Sequence, residues 1–337
     1  MLKMLQLSGE VWQIRKLNAK SDSIAKEADV MRNSGSVKTI KPAKHGTLKE
    51  QYPILIMMLP FMILFFIFTV LPILSSIVLS FTEYDMISSP KFIGLENFRR
   101  MMVDDDVFGI TVRNTLVFAV IAGPLGFLLS FILAWMVNEF RPKVRALLSF
   151  MFYAPSLVGN AYFIWQVAFS GDSYGYINSL LLSIGVITEP IIWLKDAAYL
   201  MPIIIIVQLW QSMGVSFLAN ISGLQNVSRD MYEAGAIDGI KNRWQELRYI
   251  TLPSMSHMLL FSAVMQIQSS FSVSDIAMAL AGYPSKSNAV DTIASLMSDM
   301  ATTRYELGYA SAMAVILFLM MDIVRLAIGK VLSMVQK

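Results

Sequence analysis

The chain has 337 residues, of which 55% are hydrophobic and 15% are charged. Water-soluble domains carry about 25% charged residues, so this composition indicates a protein that lies largely within a lipid bilayer. The net charge of +3 is too small to favour nucleic acid as a partner. The sequence contains no cysteine, which excludes disulfide bonds and thiolate chemistry.

The first 50 residues form a polar and basic arm. This arm has no apolar stretch of the kind that a cleaved signal peptide requires, so the first hydrophobic segment is predicted to be a retained span. Within the arm, Met1–Leu17 has the pattern of a weak amphipathic helix lying on the membrane. Ser21–Lys49 is predicted to be a basic linker, which either binds anionic lipid headgroups or is simply solvated.

Long charge-free segments follow the arm. Each of the first five exceeds the roughly 18 residues that mark a candidate span, and the sixth is interrupted by Asp322 and Arg325 near its end. The segments are Gln51–Thr82, Asn114–Asn138, Ala146–Gly171, Ala197–Ser228, Tyr249–Ser274 and a segment that begins near Leu307. We therefore predict an all-α polytopic membrane protein, with the arm at 1–50 and a domain of six transmembrane helices at 51–337.

The distribution of lysine and arginine predicts the orientation. If the N-terminus lies inside, 20 of the 27 Lys and Arg residues fall in inner segments. Positively charged loops remain on the cytoplasmic side, so we expect a multi-pass protein of the cell inner membrane with both termini in the cytoplasm.

The outer segments are polar. In the segment 83–110, the acidic run Asp104-Asp105-Asp106 is predicted to be solvated or to start a helix, and a metal site is the less favoured alternative because no other ligand cluster accompanies the run. The segment 172–196 contains Tyr176–Ile187, whose apolar pattern is too short to span and predicts a short interfacial helix.

The inner loop at 226–253, between the fourth and fifth spans, is too long and too amphipathic to be a simple connection. Asp230 and Glu233 stand where carboxylates complement the positive end of a helix. Gly239 can supply a turn, and Asn242 can cap a second helix. The loop is therefore predicted to be a helix–turn–helix elbow exposed to the cytosol.

This loop resembles the "EAA" loop of ABC importer permeases. The resemblance lies in Glu233-Ala234-Gly235-Ala236-Ile237-Asp238-Gly239, followed by Ile250-Thr251-Leu252-Pro253. In that family the loop is the coupling helix that sits on the ATPase, and the Asp-Gly pair and the Leu-Pro ending are typical of the sugar-transporting branch. The chain departs from the pattern at Gly235, which replaces the second alanine, and at His257, where that branch often has proline. The resemblance implies ATPase-coupling roles for Glu233, Ala234, Gly235, Ala236, Asp238, Gly239, Leu252 and Pro253.

Shorter matches extend the resemblance to most of the chain from about Tyr52 onward. They are similar to stretches of the first permease subunit of maltose-type sugar importers, although the long soluble insert of the maltose subunit is absent. The matching stretches are Ser80-Phe81-Thr82, Phe92–Phe98, Asn114-Thr115, Gly175–Asn178, Trp210-Gln211, Gly214 and Gly223–Gln225.

The resemblance implies a type I ABC importer permease that binds no cofactor itself. The sequence has no G-x-x-x-x-G-K-[ST] motif, so ATP and Mg²⁺ are expected on a partner ATPase. The implied partners are a second homologous permease subunit, an ABC ATPase dimer, an extracytoplasmic solute-binding protein and membrane lipid, with no nucleic acid.

The resemblance also suggests where a sugar would pass. By position relative to Glu233 and Leu252-Pro253, five polar residues fall near the sugar-contacting stretches of the maltose-type subunit: Gln208, Gln211, Gln266, Ser269 and Ser270. The alternative is that such residues only join helices to one another. Asp275 is predicted to be an acid near the outer mouth of the span, with a proton relay as the alternative.

Other functions stay open from the sequence. An ABC permease for a solute other than sugar has the same coupling loop, although an anionic solute would favour intramembrane Arg or Lys. An ion-coupled secondary transporter would show inverted repeats and paired intramembrane charges. A membrane assembly factor would not need the elbow.

Overall fold

The computed structural model describes residues 48–335, with side chains described for residues 56–330. The predicted amphipathic helix at Met1–Leu17, and nearly all of the predicted basic arm at 1–50, lie outside the described residues. The chain divides into two units, which are residues 1–68 and 69–337.

The described part of the first unit is helix α1 (Leu48–Phe65) and the beginning of a π-helical segment (Phe66–Val70). Every residue from Ile56 to Phe68 is exposed, and all of them except Pro60 are hydrophobic. A helix that is apolar on every side and exposed is suited to lipid rather than water.

The second unit is mainly helical. A two-residue antiparallel ladder joins β1 (Thr82–Glu83) to β2 (Lys91–Phe92). The helices are α2 (Leu71–Leu79), α3 (Glu96–Arg99), α4 (Asp106–Asn138), α5 (Pro142–Leu157), α6 (Phe163–Ala168), α7 (Tyr176–Ser183), α8 (Ala197–Gln225), α9 (Arg229–Ile237), α10 (Arg243–Glu246), α11 (Leu252–Ser254), α12 (Ser256–Phe271), α13 (Ser274–Ala281), α14 (Ile293–Thr302) and α15 (Leu307–Val335). Short π-helical segments are Arg100–Asp104 and Leu247–Thr251, and short 3₁₀ segments are Trp193–Lys195 and Lys286–Asn288.

The centre of the second unit is a bundle of α4, α8 and α12, each of which packs against the other two. Helix α5 lies against α8, and α15 packs against α2, α12 and α14. Buried side chains such as Phe118, Phe217 and Phe271 fill the spaces between these helices. The bundle therefore surrounds the polar residues predicted on the fourth and fifth spans.

Four helical stretches within residues 48–335 are long and apolar enough to cross a membrane. They are Ile56–Leu79, Asp106–Asn138, Ala197–Gln225 and Leu307–Lys330. A fifth is present if Arg243–Ser254 and Ser256–Ala281, which meet at 81°, form one bent span.

The expected count of six single helices is not confirmed, because the predicted third span, Ala146–Gly171, is broken. It forms α5 and α6, with non-helical residues from Val158 to Tyr162 between them. Glycine and asparagine are weak helix formers, and Gly159-Asn160 lies at the centre of the break.

Two predictions about the local structure of the outer segments are confirmed, while the interfacial position of the short helix stays a prediction. Tyr176–Ser183 is a short helix, and the acidic run starts α4, since the Asp105 carboxylate accepts hydrogen bonds from the backbone N–H groups of Val107 and Phe108 at 3.0 and 3.1 Å. Within the described residues, no group of three or more acidic or histidine side chains is placed to hold a metal ion.

Candidate functional site

The inner loop folds as the predicted elbow. Ser228 caps α9 by accepting a hydrogen bond from the N–H of Asp230. After α9 the chain reverses at Gly239, whose φ of +97° lies in the left-handed region that favours glycine. The side chain of Asn242 then caps α10 by accepting from the N–H of Gln245 at 2.9 Å, as predicted.

The buried side of α9 faces its own chain. Gly235 is buried, and a Cβ added there would lie 2.6 Å from Cδ1 of Ile250. Nearby, the hydroxyl groups of Tyr232 and Thr251 are 2.9 Å apart. The small size of residue 235 therefore allows α9 to approach the π-helical segment 247–251.

The opposite side of the elbow is exposed. Of the predicted coupling residues, Leu252 is half-buried, and the six that are exposed are Glu233, Ala234, Ala236, Asp238, Gly239 and Pro253. Large apolar side chains lie among them, with Ile237 87% and Trp244 71% exposed. Such a patch of apolar and charged groups is suited to a protein partner.

An ion-pair clamp joins the elbow to the end of α4. The Arg243 guanidinium lies 2.7 Å from the Glu139 carboxylate and 2.9 Å from that of Glu246. Its hydrogen bond to Glu246 and the charge of Glu139 raise the pKa of Arg243 above its ordinary value. The rings of Trp135 and Trp244 are 5.5 Å apart across the same junction.

An open pocket of about 730 Å³ lies between α4 and the elbow, and Glu139 and Arg243 are among its lining residues. Sequence reasoning missed the clamp, because its two ends are 104 residues apart and neither belongs to a motif.

Three of the five predicted pathway residues are buried between helices. Gln208 of α8 donates to the backbone carbonyl and hydroxyl of Ser269 at 2.8 and 3.0 Å. Gln266 of α12 donates to Ser212 and accepts from Ser216, at 2.8 and 3.1 Å. Ser270 is also fully buried, and its hydroxyl donates to the carbonyl of Gln266.

The packing around Gln266 is tight because the facing residue is glycine. A Cβ at Gly126 of α4 would lie 2.6 Å from Cδ of Gln266. Sequence reasoning did not identify Ser212 or Ser216 as the partners of this amide. In this structure the amide joins helices and is inaccessible to a solute.

The other two predicted pathway residues, Ser269 and Gln211, are half-buried. The Gln211 side chain donates to the backbone carbonyl of Val158 in the break between α5 and α6, at 3.2 Å. Its Oε1 has no hydrogen-bond partner among the described residues. Asp275 is exposed in the first turn of α13. Solute contact by any of the five residues, and a proton relay at Asp275, stay predictions.

Three asparagines from the short family matches hold the outer segments in place. Asn97 donates to the carbonyls of Ser80 and Thr82, both at 2.9 Å. Asn114 donates to the carbonyls of Asn288 and Asp291, at 2.8 and 2.9 Å.

The third asparagine, Asn178, is fully buried and makes the densest set of bonds. It donates to the carbonyls of Ser170, Asp172 and Ile191, and accepts from the N–H of Ile191 and the indole of Trp193. These motif residues therefore hold backbone segments in place through hydrogen bonds to carbonyl groups.

Comparison with known proteins identifies similarity to the membrane subunits of ABC transporters. Residues 122–333 match the family described as "Binding-protein-dependent transport system inner membrane component". The chain is 30% identical over 312 residues to the probable ABC transporter permease protein YesP of Bacillus subtilis, covering 91% of this chain and 95% of that protein.

Other relatives include named sugar permeases. The lactose transport system permease protein LacF of Rhizobium radiobacter is 33% identical over 225 residues, which cover 65% of this chain and 73% of LacF. The arabinooligosaccharides transport system permease protein AraP of Bacillus subtilis is 26% identical over 273 residues, which cover 79% of this chain and 84% of AraP.

A solved structure shares the fold. A chain of a bacterial ABC transporter involved in the import of the acidic polysaccharide alginate superposes with a TM-score of 0.71 at 21% identity, covering 86% of this chain and 98% of that chain. The family match covers well over half of the sequence and includes the elbow and the helices on both sides of it. The chain is a transport subunit rather than an enzyme, and it belongs to the binding-protein-dependent transport system inner membrane components, the permeases of ABC importers.

Proposed function

We propose that this permease forms half of the translocation pathway for a sugar or oligosaccharide in the cell inner membrane. The observation that carries the proposal is the similarity to permeases named for lactose and arabinooligosaccharides over most of the chain. The polar groups predicted to line the pathway are amides and hydroxyls, which suit the hydroxyl groups of a neutral sugar.

The proposed assembly contains a second homologous permease, a dimer of ABC ATPases that bind ATP and Mg²⁺, and an extracytoplasmic binding protein that delivers the solute. A solved transporter with the same fold, in complex with its alginate pentasaccharide-bound periplasmic protein, supports the last of these partners. Both termini would then lie in the cytoplasm, on the side of the ATPases.

The elbow suggests how ATPase movement reaches the pathway. The six exposed coupling residues would dock on the ATPase, while the buried side of α9 is fastened to the segment that leads into α12. The clamp of Arg243 on Glu139 adds α4. Closure of the ATPase dimer would therefore move the elbow, α4 and α12 together, as a rigid body that opens the pathway to the other side.

Within the pathway, Gln211 and Ser269 are the predicted residues with partly exposed side chains. Gln208 and Gln266 would contact a solute only if their hydrogen bonds between α8 and α12 open during transport. Ser270, which is buried and bonded within α12, would contact a solute only if the helices around it separate. Since the bonds of Gln208 and Gln266 join α8 to α12, a helix that the elbow would move, all five residues belong to the proposed pathway.

Affinity purification from detergent, with mass spectrometry of the subunits that co-purify, tests the assembly. Recovery of a second permease and a Walker-containing ATPase is expected. ATP-driven uptake of lactose, an arabinooligosaccharide and a dipeptide into vesicles containing the whole complex then tests the solute class. Uptake of the dipeptide alone would contradict the sugar assignment, and recovery of this chain without an ATPase would contradict the assembly.

A further inference from the structure

The break in the third membrane segment lies at a depth where backbone is normally helical. Asn160, in the break, is 15 residues beyond Arg145 and 12 before Asp172, the nearest charged residues on either side. Helix α5 has 16 residues, which at 1.5 Å per residue places its end about 24 Å from its start. The hydrocarbon core is about 30 Å thick, so the break lies within it.

The break exposes polar groups at this depth. Gly159 and Asn160 are both exposed, and a Cβ at Gly159 would meet no atom within 4 Å. The hydroxyl of the buried Tyr162 donates to Oδ1 of Asn160 at 3.0 Å. This bond fixes the amide, so that its Nδ2 group points away from Tyr162 with no protein partner within the described residues.

A fixed amide cannot face hydrocarbon without a large penalty. An unpaired amide in an apolar medium costs several kcal/mol, and non-helical backbone at membrane depth is tolerated only inside protein or beside a water-filled cavity. Asn160 therefore faces an aqueous space or a polar partner.

Further incomplete polar groups surround the break. The Gln211 amide donates to Val158, but its Oε1 has no hydrogen-bond partner in the described part of the chain. The same is true of the buried indole N–H of Trp165 in α6, whose ring meets that of Trp210 edge-on at 5.7 Å. Helix α13, which carries the exposed Asp275, also packs against α6.

We propose that Asn160 is a specificity-determining residue of the translocation pathway, where its amide N–H groups donate to hydroxyl groups of the passing carbohydrate. Tyr162 acts as the positioning residue that holds the amide. This inference rests on the proposed function for the solute class, but the aqueous exposure of the break does not depend on which solute is carried.

Cysteine labelling tests the exposure directly, because the chain has no cysteine of its own. Asn160→Cys is compared with Val120→Cys, whose side chain is 69% exposed on the apolar face of α4. Both variants are made in the whole complex in membrane vesicles and treated with a charged, membrane-impermeant methanethiosulfonate.

We expect the cysteine of Asn160→Cys to react at least about tenfold faster than that of Val120→Cys, because the reactive thiolate forms in water and not in hydrocarbon. Equal, slow reaction of both cysteines in a complex that transports normally would overturn the proposal. If the wild-type complex carries a dipeptide but no carbohydrate, the sugar assignment is wrong. The labelling rates of Asn160→Cys and Val120→Cys would still show whether the break is exposed to water.

Uptake measurements test selectivity. Asn160→Ala is expected to lower uptake of one of two sugars, lactose or an arabinooligosaccharide, by about fivefold relative to the other, since the loss of one hydrogen bond changes a free energy by about 1 kcal/mol. Tyr162→Phe, which frees the amide but keeps the ring, should shift the ratio in the same direction by less. A merely structural role would reduce the amount of assembled complex and leave the ratio unchanged, and that result would refute the specificity claim.

Discussion

Replacing Gly126 with alanine tests whether the buried amide of Gln266 holds α4, α8 and α12 together. The new Cβ would lie 2.6 Å from Cδ of Gln266 and closer still to its Nε2. The amide cannot swing aside into solvent, because it is fully buried and bonded to Ser212 and Ser216 of α8. The substitution must therefore crowd the contact between the helices and displace those bonds.

The size of the effect follows from three contributions. Overpacking a close helix contact costs about 1–3 kcal/mol. Each of the two hydrogen bonds displaced at Gln266 contributes about 1 kcal/mol, and replacing glycine with alanine within a helix returns about 1 kcal/mol. A net destabilisation of about 2–4 kcal/mol is expected from these magnitudes.

Gly123, one turn earlier on α4, provides a matched control. A Cβ there would meet only the hydroxyl of Ser270, at an ordinary contact distance of 3.5 Å. Gly123→Ala should therefore be neutral or stabilising by up to about 1 kcal/mol through helix propensity alone.

The assay is the midpoint of thermal unfolding of the purified complex in detergent, taken from the monodisperse fraction that survives heating. Gly126→Ala should melt below wild type, and Gly123→Ala at or above it. If Gly126→Ala melts at or above Gly123→Ala, the close contact with Gln266 is not a determinant of stability, and the inference from the packing is wrong.

Three other predictions, made with five substitutions, address the elbow and the outer loop. Glu233→Lys and Gly239→Val should abolish ATP-driven uptake while the protein stays in the membrane. Glu233→Lys reverses a charge on the docking face, and Gly239→Val strains a left-handed turn by about 1–3 kcal/mol. Normal uptake with wild-type ATPase association would contradict the docking role. A double-mutant cycle of Arg243→Ala and Glu139→Ala should give a coupling free energy of unfolding of at most about 1 kcal/mol, because both side chains are about half exposed. A larger coupling would mean that the clamp is desolvated in the assembly. Burial raises the pKa of Tyr283 to about 12 from an ordinary value of 10.0. The contribution of Tyr283 to stability is therefore complete below pH 10 and is lost as the pH rises from 10 to 12, because the unfolded chain releases the phenolic proton first. Tyr283→Phe should reduce the slope of unfolding free energy against pH between pH 10 and 12, and an unchanged slope would assign the loss of stability to other groups.

The elbow was predictable from sequence because its determinants are local. Ser228, Gly239 and Asn242 each act within three residues along the chain, through caps and a left-handed turn. A local hydrogen-bond pattern of this kind leaves a direct record in the order of residue types. The clamp of Arg243 on Glu139 leaves no such record, since it depends on how α10 meets a helix that ended 104 residues earlier.

The count of spans was harder to predict because composition does not show where a helix ends. Ala146–Gly171 is charge-free and long enough to cross, yet it breaks at Gly159-Asn160. Hydropathy measures how well a residue tolerates lipid, whereas the break depends on weak helix formers and on the Gln211 side chain that supplies a hydrogen bond to Val158.

The same consideration separates the predicted pathway residues into two groups. A polar side chain within a span must find a partner, and it finds one either on a neighbouring helix or in an aqueous space. Gln266 faces Gly126 and bonds to two serines of α8, so its partners are supplied within the bundle. Gln211 faces the break and keeps an oxygen without a protein partner in the described part of the chain. Glycine opposite an amide permits close packing, whereas a helix break opposite an amide leaves polar groups to be satisfied. The residue across from each amide therefore indicates that Gln266 joins helices, and it makes Gln211 the stronger candidate for the proposed solute contact.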